Sequence, residues 1–122
     1  MAPRPVNLAS ALASFAEAWS PKIVGDVNDC QIKLVKLEGA FDWHSHETED
    51  EAFLVIDGRL RMEFRDDAPE LGAGELIVVP HGVEHRPVAL PTCSVLLFEP
   101  ASTLNTGDVV NARTVRQLER LA

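Results

Sequence analysis

Tyrosine is absent from this 122-residue chain, which removes any tyrosine acid, base or radical from its chemistry. Cysteine is scarce. Cys30 and Cys93 stand far apart in apolar, strand-like sequence and match no metal-ligand spacing, so they read as buried free thiols, with a single disulfide as the alternative. No apolar run approaches the ~20 residues that span a bilayer, and the amphipathic, alanine-rich stretch from Leu8 to Trp19 lacks the apolar core of a signal segment. Basic residues number 11 against 19 acidic ones, a net charge of −8. No basic stripe forms, and such a field would repel a phosphate backbone or an anionic membrane. The expectation is a cytoplasmic protein without nucleic-acid or membrane partners. There is no nucleophile elbow either. Gly72-Ala73-Gly74 precedes a strand and lacks the lysine of a phosphate-binding loop.

What is present fits one domain with a real core, since 46% of the residues are hydrophobic. A domain of this size is only modestly buried alone, which points to a homodimer. Asn7 can cap a helix over residues 8–18, where Leu8, Leu12 and Phe15 recur at helical spacing and Trp19 follows. Ser20 and Pro21 end it. The period then becomes two, and short strands are expected at 23–27, 31–38, 52–56, 59–64, 76–79, 83–88 and 93–98. Residues 41–46 run on as extended chain. Asp57-Gly58 carries a hairpin signal. Many short strands without a crossover helix predict a closed barrel or double-sheet sandwich, because closure removes exposed strand edges. Residues 101–108 read as loop and 114–121 as a short helix. The chain thus divides into an N-terminal arm and helix (1–20), a β domain (21–100) and a C-terminal tail (101–122).

His44 and His46 are two residues apart and share one face of an extended segment. Glu51 follows five residues later, and His85 lies in a second patterned block. Imidazole nitrogens with one carboxylate suit a divalent ion such as Zn, Fe, Ni, Mn or Co. Taken singly, each histidine reads more readily as an ordinary surface or core residue than as a ligand, and Glu47, Glu49, Asp50 and Glu51 as a solvated turn.

The spacing of the whole set is more specific. One block runs from Gly39 through His44-Ser45-His46 and Glu51 to Gly58. The other runs from Gly74 through Pro80-His81-Gly82 to His85. These blocks resemble both signature motifs of the cupin family, and the resemblance extends to about Phe98. It departs in a first spacer one residue short and in Ala89, where the family often has Asn. The resemblance implies an all-β, double-stranded β-helix (a cupin jelly-roll barrel, RmlC-like), often dimeric. It also implies that His44, His46, Glu51 and His85 hold one divalent metal ion per subunit (Fe, Zn, Ni or Mn), with positions left open.

Period two then sends Phe53 and Val55 inward, and Phe64 is a further pocket candidate. Asp42, Glu49 and Asp50 are candidates to hydrogen-bond the ligands' second nitrogens, or else solvated surface. His81 is a weak candidate acid or base against an exposed turn position, and Ser45 lies on the opposite strand face. Arg59, Arg61 and Arg86 form no evident phosphate clamp, which argues against a phosphosugar substrate. The reading is a metal-dependent enzyme acting on a small organic molecule. Iron would suit O₂-dependent oxidation, and zinc, nickel or manganese would suit isomerase, lyase or hydrolase chemistry. The alternatives are a non-catalytic small-ligand or sensor module and a scaffold with incidental metal.

Overall fold

Helix α1 (Leu8–Ala13) opens where Asn7 Oδ1 accepts from the Ser10 amide at 2.9 Å, in a computed structural model that describes residues 2–122. The helix stops well short of residue 18. Ser14 Oγ donates to the Ala11 carbonyl, a local side-chain bond that competes with helix continuation. Ala18 then bridges to Lys36, and the Trp19 amide donates to the Lys36 carbonyl at 2.8 Å. Pairing with the sheet therefore takes residues 14–18 out of the helix. Leu12 and Phe15 still point inward and pack with Val24 and Leu34.

The strands are β1 (Lys22–Val27), β2 (Cys30–Ala40), β3 (Glu51–Phe64), β4 (Glu70–Leu71), β5 (Leu76–Val79), β6 (His85–Pro100) and β7 (Glu119–Arg120). They pair in the order β4-β3-β6-β2-β1-β7, with β5 also on β3. All pairs are antiparallel except β1 with β7. This path has two free ends, so the sheet is not closed, and the expected jelly-roll barrel is corrected to an open sheet. The expectation rested on closure as the remedy for exposed edges. Here the edges are kept short instead: β4 and β7 have two residues each and β5 has four, so few backbone groups go unpaired.

Two expected strand pairs are each one long strand. Asp57-Gly58 makes no hairpin. β3 runs straight through it, with register shifts between Val55 and Asp57 and between Gly58 and Leu60. Gly58 has φ +80°, and a Cβ there would lie 2.3 Å from the Thr92 carbonyl. The positive φ that suits a tight turn here serves a bulge at a close backbone crossing. β6 likewise joins the expected strands 83–88 and 93–98. It lies centrally between β2 and β3.

One face of the sheet carries the main core, including Val35, Leu37, Phe53, Val55, Leu60, Met62, Cys93, Val95 and Leu97. The other is covered by α1 over Val24 and Leu34. Beyond α1, Val78 and Phe98 are exposed and both pair across Ala52, while Leu76 is exposed opposite Leu54. The expected helix over 114–121 is absent. Arg120 pairs with Ile23, and the Leu121 amide donates to the Ile23 carbonyl at 2.8 Å, so tertiary pairing overrides the local helical spacing. Both cysteines are free. No helix among the described residues is long and apolar enough to cross a membrane.

Candidate metal centre

His44 and His85 are joined by reciprocal backbone bonds, His44 N to His85 O at 3.0 Å and His85 N to His44 O at 2.9 Å. This antiparallel pair sets two imidazoles side by side, with ring centroids 4.3 Å apart. His46 lies two residues along the same extended segment, and the Gly82 amide donates to its carbonyl at 2.7 Å. Glu51 opens β3. The four side chains are buried, and each offers one ligand atom, all within 4.8 Å of one another. A buried three-His, one-Glu cluster capable of coordinating a metal is therefore present.

The distances fit an ion. Glu51 Oε1 lies 2.9 Å from His46 Nε2 and 3.2 Å from His85 Nε2. Adjacent ligands around a metal at about 2.1 Å stand about 3 Å apart. Among the described residues, these same three atoms are the buried side-chain polar atoms without a hydrogen-bond partner. They come close without the alignment of hydrogen bonds, as lone pairs directed at a common point would. Orphaned buried polar atoms are rare in native proteins, and an ion is one of the few things that satisfies them.

The second ring nitrogens are engaged elsewhere. His44 Nδ1 donates to the Asp42 carbonyl and His85 Nδ1 to the Val83 carbonyl, each at 2.9 Å. This leaves Nε2 free to act as a ligand. The carboxylates considered for this job are used differently. Asp42 accepts from Asn111, Glu49 from Ser102 and Asp50 from His81. Burial, then the neighbouring His85, pushes His44 down to about 4. Burial alone would raise the Glu51 carboxyl, but the facing His46 and His85 outweigh it and hold it at about 2. At neutral pH His44 is thus neutral and Glu51 ionised, the states a metal requires of its ligands.

A cavity of about 500 Å³, its open mouth included, adjoins the cluster and is lined by His44 and Glu51. Trp19, stacked on Phe41 at 4.5 Å, forms part of the wall with Val35, Leu37, Phe53, Pro87 and Leu97. Of the pocket residues expected, Phe53 lines the cavity. Val55 lies deeper in the core, and Phe64 packs against the core's edge. His81 is exposed, its Nδ1 bonded to Asp50 at 2.8 Å, and is not on the cavity wall. Arg59, Arg61 and Arg86 are paired to Glu70 and Glu63 and also lie off the wall.

Sequence reasoning missed Lys33 and Glu99, a buried ammonium and carboxyl with Nζ and Oε1 3.7 Å apart, on the same wall. Strand parity carries a signal for both. Lys33 alternates in phase with Val35 and Leu37, and Glu99 with Val95 and Leu97. Burial, then the nearby Glu51 carboxylate, raises Glu99 to about 8 against the pull of Lys33. Thr103, Asn105 and Leu118 of the C-terminal tail complete the wall. The tail is tied across the metal segment: the Asp108 amide donates to Ser45 O at 3.0 Å, Ser45 N to Asp108 Oδ1 at 2.9 Å, and Asn111 Nδ2 to Asp42 Oδ2 at 2.9 Å. No local pattern announces these contacts.

A cupin domain model matches residues 33–98, and the chain belongs to the cupin family. It is 36% identical to the uncharacterized protein YdbB of Bacillus subtilis over 81 residues, 66% of this chain and 72% of that one. Among solved structures it is similar to a cupin-2 domain containing protein from Shewanella frigidimarina. That pair shares 44% identity with a TM-score of 0.77, covering 78% of this chain and 93% of the other. Protein NMB1881 from Neisseria meningitidis is 34% identical with a TM-score of 0.73, over 80% of this chain and all (100%) of its own.

Proposed function

We propose that His44, His46, Glu51 and His85 hold one divalent metal ion, and that the protein is an enzyme acting on a small organic molecule taken into the adjoining cavity. The carrying observation is the convergence of three buried, unpartnered ligand atoms, with Glu51 Oε1 2.9 Å from His46 Nε2 and 3.2 Å from His85 Nε2. When bound, the ion would polarise a coordinated oxygen, iron suiting O₂-dependent oxidation and zinc, nickel or manganese suiting isomerase or lyase chemistry. The backbone carbonyls of Asp42 and Val83 hold the rings of His44 and His85 in orientation. Trp19, Phe41, Phe53 and Leu97 shed water from the ligand's apolar part. Glu99 supports the enzyme reading over a binding or sensor module. It is the one cavity-wall carboxyl outside the ligand set, and it offers a substrate a proton donor or acceptor near Glu51. The apolar row of Leu76, Val78 and Phe98 supports a homodimer, because a second copy of the same face would bury it.

The test is anaerobic purification followed by elemental analysis per chain. One ion per chain is expected in the wild type, with most of it lost in His44→Ala and His85→Ala and affinity weakened in Glu51→Gln. Wild-type occupancy in all three variants refutes the site. Glu99→Gln separates the two functional readings: an enzyme loses turnover while keeping metal, whereas a sensor keeps its ligand response.

A further inference from the structure

The least explained group near the cluster is Lys33. Its side chain is 2% exposed and lines the cavity. The one carboxylate oxygen within 4 Å is Glu99 Oε1 at 3.7 Å, too far for a hydrogen bond. No described residue accepts a hydrogen bond from its ammonium. Its Nζ is not among the fully enclosed unpartnered atoms, so its donors are left to the cavity, and a poorly solvated ammonium there is unfavourable unless something fills them. The cavity into which they face is otherwise walled mainly by apolar side chains.

We infer that Lys33 recognises the carboxylate of a small organic acid, whose apolar or oxygen-bearing remainder extends toward His44 and Glu51. The charge balance supports an anion. With a divalent ion on the cluster, Lys33 adds one positive charge and Glu51 removes one, so the site stays net positive whether Glu99 is ionised or not. That half of the argument rests on the metal reading above, whereas the unused donors of Lys33 do not. A carboxylate fits better than a phosphate. The cavity wall carries no arginine, and a single ammonium offers no bidentate fork for a dianion. The surrounding net charge of −8 further disfavours a dianion.

The experiment measures binding by calorimetry on the full chain, with metal content determined on each sample. The probes are hydroxy and keto acids from glycolate to levulinate, each beside its carboxamide, with methyl phosphate as the phosphate arm. Lys33→Met is compared with wild type at equal metal occupancy. The double variant Lys33→Met/Glu99→Gln leaves no unpaired buried charge and guards against misfolding. Loss of a charge-assisted hydrogen bond is expected to weaken carboxylate binding by about 10- to 100-fold. Carboxamide binding should not change, and Lys33→Arg should keep part of the affinity. A wild type that binds no carboxylate below about 10 mM, equal affinity for acid and amide, or a double variant that binds as wild type overturns the inference. Tighter binding of methyl phosphate than of glycolate overturns the carboxylate assignment. Because the variant is read as a ratio at matched occupancy, including none, failure of the metal site is seen in the metal analysis and does not mask the Lys33 result.

Discussion

Replacing Gly107 with alanine tests whether the C-terminal tail holds the metal segment in place. Gly107 has φ +58°, and a Cβ built there would lie 2.3 Å from Ser45 O and 2.9 Å from His44 Cδ2. The left-handed backbone alone costs an alanine about 1–2 kcal/mol. Carbon and oxygen do not approach closer than about 3.3 Å without repulsion, so the tail must retreat by about 1 Å. That movement strains the bonds between Asp108 and Ser45, 3.0 and 2.9 Å long, at about 0.5–1.5 kcal/mol each. The sum is a destabilisation of about 3 kcal/mol. Gly82→Ala is the control, because Gly82 also has positive φ (+78°) but nothing within 4 Å of a Cβ. It should lose only the backbone part, about 1–2 kcal/mol. Urea unfolding of the metal-free proteins gives both values, and metal titration then reads His44. Gly107→Ala should also bind metal more weakly, since its Cβ presses on the His44 ring. Equal destabilisation of the two variants, with unchanged metal affinity, would refute the proposed coupling of tail and site.

Metal-free protein should lose about 2 kcal/mol of stability between pH 6.5 and 8. Glu99 stays protonated in the fold to about 8 but ionises near 4.5 when unfolded, so its contribution is present below that range and drains as pH rises through it. His44, held at about 4 against 6.5, works in the opposite sense and offsets Glu99 up to pH 6.5, leaving Glu99 alone above it. Urea denaturation across this range checks the sign, Glu99→Gln should flatten the profile, and a wild type whose stability rises instead would contradict it. Burial, then the charge of Asp57, pushes the Cys93 thiol up to about 12. A thiol reagent should label Cys93 only after unfolding, and rapid labelling of native protein would show that the site opens. Val78→Lys should convert a homodimer to monomer in sedimentation, because Val78 is exposed beside Phe98 across Ala52. A monomeric wild type would remove the dimer reading.

The sequence alone determined what depends on short spacing and on period. His44 and His46 share a face because extended backbone repeats every two residues. Their spacing to Glu51 and the second block around His85 was enough to name the family and the four side chains that come together. The strand alternation also marked where most of the sheet would lie. Tertiary structure decided the rest. Asp57-Gly58 became a bulge because β6 crosses there within contact of Thr92. Residues 114–121 lost their helical spacing to a pairing with Ile23. The sheet stayed open because its end strands, β4 and β7, do not pair with each other, a property of strand pairing that no local window contains. The partnership of Lys33 with Glu99 joins residues on two neighbouring strands, and the strapping of Ser45 by Asp108 joins a tail to a loop. Residues distant in sequence meet only when the whole sheet is assembled, so the ligand set was readable in the chain while the groups that shape its cavity were not.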